Sequence, residues 1–247
     1  MADREPLLEV RSISKRFGGV QALDAVSVAL YPGEVLALAG DNGAGKSTLI
    51  KIIAGVYRPD GGEMRYMGAP RSFETPNEAR ANGIETIYQD LALADNLDVG
   101  SNIFLGREPT RRWMGIKVLD RRKMEEAARA AAAALDIEIN SFDMPVRNLS
   151  GGQRQAVAIG RAIHWNARII IMDEPTAALG VPEQRKVMAL IQTLKDQGRG
   201  VIFISHNLGD IFAVADRIVV LRRGILAGER ARAATNPDEI VRLMVGG

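Results

Sequence analysis

Hydrophobic and polar residues along the chain follow two periods. Residues 7–13 (Leu-Leu-Glu-Val-Arg-Ser-Ile) and 25–30 (Ala-Val-Ser-Val-Ala-Leu) alternate as half-buried strands do, and Pro32-Gly33 marks a turn after the second. Residues 35–39, Val-Leu-Ala-Leu-Ala, are apolar on both faces, as in a strand buried in a parallel sheet. A glycine-rich loop and a helix over about 46–54 follow. Between about 91 and 165 helical patterns dominate, and a helical subdomain is expected there. Its strongest segment, 121–135, sets Met124, Ala127, Ala128, Ala131 and Leu135 in an Ala-rich run, and Ala has the best helix propensity. From 168 onward, strands at 168–172, 201–204 and 217–221 alternate with helices at 183–197 and 208–215. That order predicts an α/β fold with a mainly parallel sheet and helices on both faces. The early alternating strands suggest an attached antiparallel portion.

Composition narrows the chemistry. A chain of 247 residues fits one large domain, or one with a modest subdomain, and buries about 70–75% of its unfolded surface without staples. The absence of Cys excludes disulfides, thiolate metal sites and cysteine nucleophiles. With only His164 and His206, a histidine metal cluster is excluded as well. Lys and Arg total 32 against 30 Asp and Glu, too slight an excess to indicate nucleic-acid binding. The basic clusters at 111–112, 121–123 and 222–223 are short and read as solvated surface. The start of the chain lacks the apolar stretch of a secretion signal, and no window approaches the roughly 20 apolar residues that span a bilayer. A soluble, cytoplasmic protein is expected, with any membrane role exercised through a partner.

Gly40-Asp41-Asn42-Gly43-Ala44-Gly45-Lys46-Ser47-Thr48 fits the phosphate-loop pattern G-x-x-x-x-G-K-[ST], with a buried strand before it and a helix after it. The glycines let successive backbone N–H groups turn inward around phosphates, and the helix N-terminus adds about half a positive charge. Lys46 would bridge the β- and γ-oxygens, and Ser47 would offer its hydroxyl to Mg²⁺. A second buried run, 169–172, ends in Asp173-Glu174. In phosphate-loop NTPases an Asp there coordinates Mg²⁺, and Glu174 could polarise a water for in-line attack. Taken alone, the two acids also fit a helix cap. Ser150-Gly151-Gly152-Gln153 precedes a helical stretch at 154–163 and offers a second anion-binding corner, although alone it also fits a capped helix start. One nucleotide does not need two such corners from one chain. The economical reading is a composite site shared with a second copy.

The phosphate loop, Leu149-Ser150-Gly151-Gly152-Gln153, Asp173-Glu174 and a downstream His206, in that order, resemble the ATP-binding cassette of ABC transporters over nearly the whole chain. The resemblance implies a RecA-like core, an antiparallel β-subdomain, a helical subdomain, and two cassettes sandwiching two ATP molecules head to tail. It also implies roles by position. Phe17 resembles the aromatic that stacks on adenine. Gln89 resembles the glutamine that touches Mg²⁺ and the attacking water and links the core to the helical subdomain. His206 resembles the switch histidine that contacts the γ-phosphate, whereas His164 matches no motif and reads as structural. One departure stands out: where many cassettes carry Ser-Ala-Leu-Asp, this chain has Ala177-Ala178-Leu179-Gly180. The missing Asp puts one route of coupling between sites in doubt and leaves the hydrolytic groups intact.

Within the family, the phosphate-loop phrase and the 148–155 segment look most like ribose-, xylose- and fructose-type importers. That likeness implies an ATPase energising sugar import, with one cassette per chain working as a homodimer. It further implies a separate permease fed by a sugar-binding protein, and a position on the inner face of the membrane. The competing readings, a cassette ATPase acting on nucleic acid or ribosomes and a scaffold without turnover, fit less well. The first usually carries coiled-coil insertions or a basic linker, and the second would not need Glu174 and His206.

Overall fold

The computed structural model describes residues 5–134, 142–177 and 179–246. In chain order the elements are β1 (Leu8–Phe17), β2 (Val20–Leu30), β3 (Val35–Ala39), α1 (Lys46–Ile53), β4 (Gly61–Tyr66), β5 (Ala69–Pro70), α2 (Pro76–Ala81) and β6 (Ile84–Ile87). Next come α3 (Val99–Phe104), β7 (Thr110–Trp113), β8 (Ile116–Leu119), α4 (Arg121–Ala134), α5 (Gly151–His164) and β9 (Ile169–Asp173). The chain closes with α6 (Val181–Asp196), β10 (Gly200–Ile204), α7 (Leu208–Val214), β11 (Arg217–Arg222), β12 (Ile225–Ala231) and α8 (Pro237–Val245).

The central sheet runs β12-β11-β3-β10-β9-β6, and all its pairings are parallel except β11 with β12. Successive side chains on a strand face opposite ways, and here both faces are buried. Leu36, Leu38, Ile171, Ile202, Ile204 and Val219 turn to one apolar layer, where they meet Val10, Ile13, Leu23, Leu49 and Ile50. Ala37, Ile170, Met172, Val201, Phe203 and Val220 turn to the other layer, against Ile159, Leu190, Leu194 and Ile211 of α5, α6 and α7. This is why these strands read as continuous apolar runs. The antiparallel sheet, ordered β2-β1-β4-β5, covers the first layer. The α/β class with its antiparallel portion is therefore as the pattern predicts.

A third apolar cluster joins α3, α4 and α5 through Val99, Ile103, Phe104, Met124, Ala128 and Val157. His164, at the end of α5, packs edge-on against Phe104 and Trp165 with ring centroids 4.5 and 5.0 Å away, a packing role as expected. Helix α4 is described to Ala134; the expected end at Leu135 lies outside the described residues. The segment 91–165 differs from the sequence expectation in one respect, because β7 and β8 form an antiparallel hairpin within it. Its strands of four residues are too short for period-2 alternation to outweigh the helical signals around them.

Candidate nucleotide site

Strand β3 is buried at every position, and the chain leaves it through a loop that only glycine could build. Gly40 (φ 144°) and Gly45 (φ 106°) lie in the left-handed half of backbone space, and a Cβ would stand 2.3 Å from the Leu221 carbonyl oxygen or 2.7 Å from that of Ala22. The loop closes on α1, whose first residue is Lys46. The Lys46 ammonium donates to the Gly40 carbonyl at 2.5 Å and to the Asp41 carbonyl at 3.0 Å. Burial pushes its pKa down, against the pull of Glu174, Asp173 and Asp41. A cation held this way on two loop carbonyls can exchange them for phosphate oxygens.

The acids arrive from the neighbouring part of the sheet. Ile204 of β10 stands opposite Asp173 of β9 in parallel register, and the Glu174 N–H donates to the Ile204 carbonyl at 3.0 Å. Glu174 adopts φ 51°, in the left-handed region that residues with a Cβ visit only occasionally. Its Oε2 accepts from His206 Nδ1 at 2.8 Å. Burial and the adjacent Glu174 raise the Asp173 pKa, and Lys46 and Lys51 offset part of that rise. Beyond Ser205, Asn207 caps α7 through Gly209, and the buried Thr176 hydroxyl donates to Asp210 at 2.7 Å.

A cleft of about 550 Å³ brings together Asp41 to Thr48, Gln89, Asp173, Glu174 and His206. Of the expected phosphate-loop set, Gly40 lies just behind the cleft at the end of β3. Ser47, Asp173 and Gln89 line it together, a hydroxyl, a carboxylate and an amide. That hard-oxygen set suits Mg²⁺, which is typically held by one or two carboxylates plus phosphates and water. Among the described residues no group of three or more His, Cys, Asp or Glu could hold a metal unaided, so such an ion would need the nucleotide's oxygens.

Two expected groups lie elsewhere. Phe17 is 41% exposed and does not line the cleft. Its ring packs edge-on against Tyr57 at 5.1 Å, under the Lys15 ammonium 5.5 Å from its centroid. Val20, Gln21 and Ala22, which no sequence motif marked, occupy that side of the cleft instead. Ser150, Gly151, Gly152 and Gln153 are also outside it, at the start of α5. There Ser150 and Gln153 form a reciprocal capping box: the Gln153 N–H donates to Ser150 Oγ at 3.3 Å, and the Ser150 N–H donates to Gln153 Oε1 at 3.0 Å. Ala177 lines the cleft, Ala178 lies outside the described residues, and Gly180 is the N-cap of α6 without a side-chain cap.

A phosphate loop springing from a buried parallel strand and facing two acids at the end of β9 defines a phosphate-loop NTPase of the RecA-like class. The ABC transporter model matches residues 23–177, and the chain belongs to that family of ATP-binding cassettes. It is 51% identical over 238 residues to the xylose/arabinose import ATP-binding protein XylG of Sulfolobus acidocaldarius, covering 96% of this chain and 93% of the relative. It is 48% identical to the fructose import ATP-binding protein FrcA of Rhizobium meliloti, covering 90% and 86%. The ribose import ATP-binding protein RbsA 1 of Rubrobacter xylanophilus matches 98% of this chain at 49% identity, but only 47% of its own length is spanned. Among solved structures, an ABC transporter cassette in its ADP conformation superposes with TM-score 0.83 at 27% identity, covering 98% of this chain and all of that one. A dimeric post-hydrolysis cassette bound to ADP and Pi gives 0.76 at 25% identity, covering 91% and 98%. No helix among the described residues is long and apolar enough to cross a membrane.

Proposed function

We propose that the chain hydrolyses ATP to energise import of a monosaccharide through a separate membrane permease, working as a homodimer on the cytoplasmic face. The observation that carries the hydrolytic reading is the single cleft in which Lys46, Asp173, Glu174 and His206 converge. The sugar reading rests on the xylose/arabinose, fructose and ribose import relatives. Because the ATP-binding subunit stands apart from the permeation path, a periplasmic or extracellular binding protein would supply cargo recognition.

The phosphate-loop amides and Lys46 bind the β- and γ-phosphates, Lys46 leaving the Gly40 and Asp41 carbonyls to do so. Ser47, Asp173 and Gln89 would hold Mg²⁺, which when bound neutralises charge on the β- and γ-oxygens. Glu174 accepts a proton from the attacking water, and His206 fixes the Glu174 carboxylate while facing the γ-phosphate. Phe17 turns from Tyr57 to stack on adenine. The Ser150–Gln153 corner does not line its own cleft, and it would serve the nucleotide of a second copy. The α3–α5 group, within about 91–165, acts as the helical subdomain that follows Gln89. The test is reconstitution with the permease and binding protein: ATPase activity should rise when a monosaccharide-loaded binding protein is added. Stimulation by DNA or RNA instead would overturn the transport reading.

A further inference from the structure

The β7–β8 hairpin contributes nothing to the nucleotide cleft and presents an unusual surface. Its two-residue turn is Met114-Gly115, with φ of 47° and 83°. Tight hairpin turns with both central residues at positive φ favour Asn, Asp or Gly at the first position. Here that position carries a large apolar side chain that is 83% exposed. Trp113 and Ile116, directly opposite one another, flank it at 61% and 66% exposure. Among the described residues nothing covers this tip.

One step back from the tip, Arg112 stands directly opposite Lys117. Like charges in that position destabilise a strand pair, and an isolated two-stranded ribbon has little stability to spare. Arg111, Arg112 and Lys117 are all exposed, and among the described residues none of them has an ion-pair partner. Elsewhere on the surface arginines are commonly paired, as Arg122 is with Glu126 and Arg129 with Glu125. No acid lies between Thr110 and Leu119 to relieve the repulsion.

We propose that this hairpin is a membrane-contacting finger that docks on an anionic phospholipid surface. The order of residues along it matches the order of chemistry across a bilayer interface. The apolar tip meets the acyl boundary, Trp113 takes the interfacial position its amphipathic ring favours, and the cationic collar meets lipid phosphates. Those phosphates supply the counter-charge that the Arg112–Lys117 pair lacks. An acidic protein segment could neutralise the collar, but it gives no reason for a bare apolar tip ahead of the charges. The proposal takes from the transporter reading only that a membrane is near, and binding by the chain alone is measured without transport.

The experiment is flotation of the full chain with vesicles of phosphatidylglycerol and phosphatidylcholine, compared with phosphatidylcholine alone, at low and high salt. The expected result is at least tenfold more protein on the anionic vesicles, lost at high salt, with a blue shift of tryptophan emission absent from Trp113→Phe. Arg112→Glu/Lys117→Glu should reduce the bound fraction at least fivefold. Met114→Asn, which suits the turn better and so spares the fold, should also weaken binding. ATPase activity of all three variants should match the parent. No binding, equal binding to neutral vesicles, or binding unaffected by the variants would overturn the proposal. Loss of permease-stimulated activity in variants that still float normally would also overturn it, assigning the hairpin to a protein partner.

Discussion

His206 Nδ1 and Glu174 Oε2 lie 2.8 Å apart although 32 residues separate them in sequence. The parallel register of β9 and β10 sets Asp173 beside Ile204, and the two strand ends then release their next residues into one cleft. This contact ties the Glu174 carboxylate to the His206 ring and restrains it. Such a restraint suits the water-orienting role proposed for Glu174, since a group of that kind gains most from being fixed before substrate arrives.

Glu174→Gln keeps the side chain's shape and removes the proton acceptor. General-base catalysis contributes about 100- to 10,000-fold, and turnover should fall by that order while ATP binding persists. Single-turnover hydrolysis and nucleotide binding, measured together, check it; near-normal turnover would dismiss Glu174 as the base.

Lys46→Ala removes the cation now resting on the Gly40 and Asp41 carbonyls. ATP affinity should fall beyond detection at millimolar nucleotide. Unchanged affinity by equilibrium dialysis would count against the loop as the phosphate site.

Asp173 yields a pH prediction. Its native pKa is raised, first by burial and then by Glu174, so the native state holds this proton more tightly than the unfolded chain. Stability therefore falls as pH rises from the ordinary carboxylate value through the raised one. Asp173→Asn should lift the unliganded melting temperature at pH 7 by about 2–4 °C, the shift that ~1 kcal/mol gives a chain of this size. The gain should shrink towards pH 4, while Mg²⁺-dependent ATP binding weakens. A gain that does not change with pH would contradict the assignment.

Phe17→Ala tests a role that the packing on Tyr57 leaves to be shown. An aromatic stack worth about 0.5–1.5 kcal/mol corresponds to roughly a two- to tenfold rise in the Kd for ATP. Competition binding with ATP and a phosphate-only analogue separates base from phosphate contacts. If both weaken equally, Phe17 does not read adenine.

Glu85 sits 3.5 Å from Arg161, with side chains 5% and 11% exposed, tying β6 to α5. Glu85→Ala leaves a buried cation unpaired and should cost about 3–5 kcal/mol. Glu85→Leu with Arg161→Met should recover most of that loss. Urea denaturation of the single and double variants measures both, and equal destabilisation in the two would show that the pair is not the cause.

The phosphate loop was legible because its chemistry is written in consecutive residues: glycines permit the backbone path, and Lys46 and Ser47 follow at fixed distance on the helix they begin. Central strands were legible for a related reason, since burial on both faces leaves apolar runs such as Ile169–Met172 that few other structures explain. Short strands such as β6 gave too few residues for a period to register, and the Met114-Gly115 turn defied its usual composition. What only the tertiary structure decided is where separate segments meet. Strand order placed Glu174 beside His206 and Glu85 beside Arg161, and the packing of the whole chain set Phe17 on Tyr57 and left both Phe17 and Ser150 outside the cleft. Those outcomes depend on packing between elements far apart in sequence, where the choice of partner is made by the whole core and no local pattern encodes it.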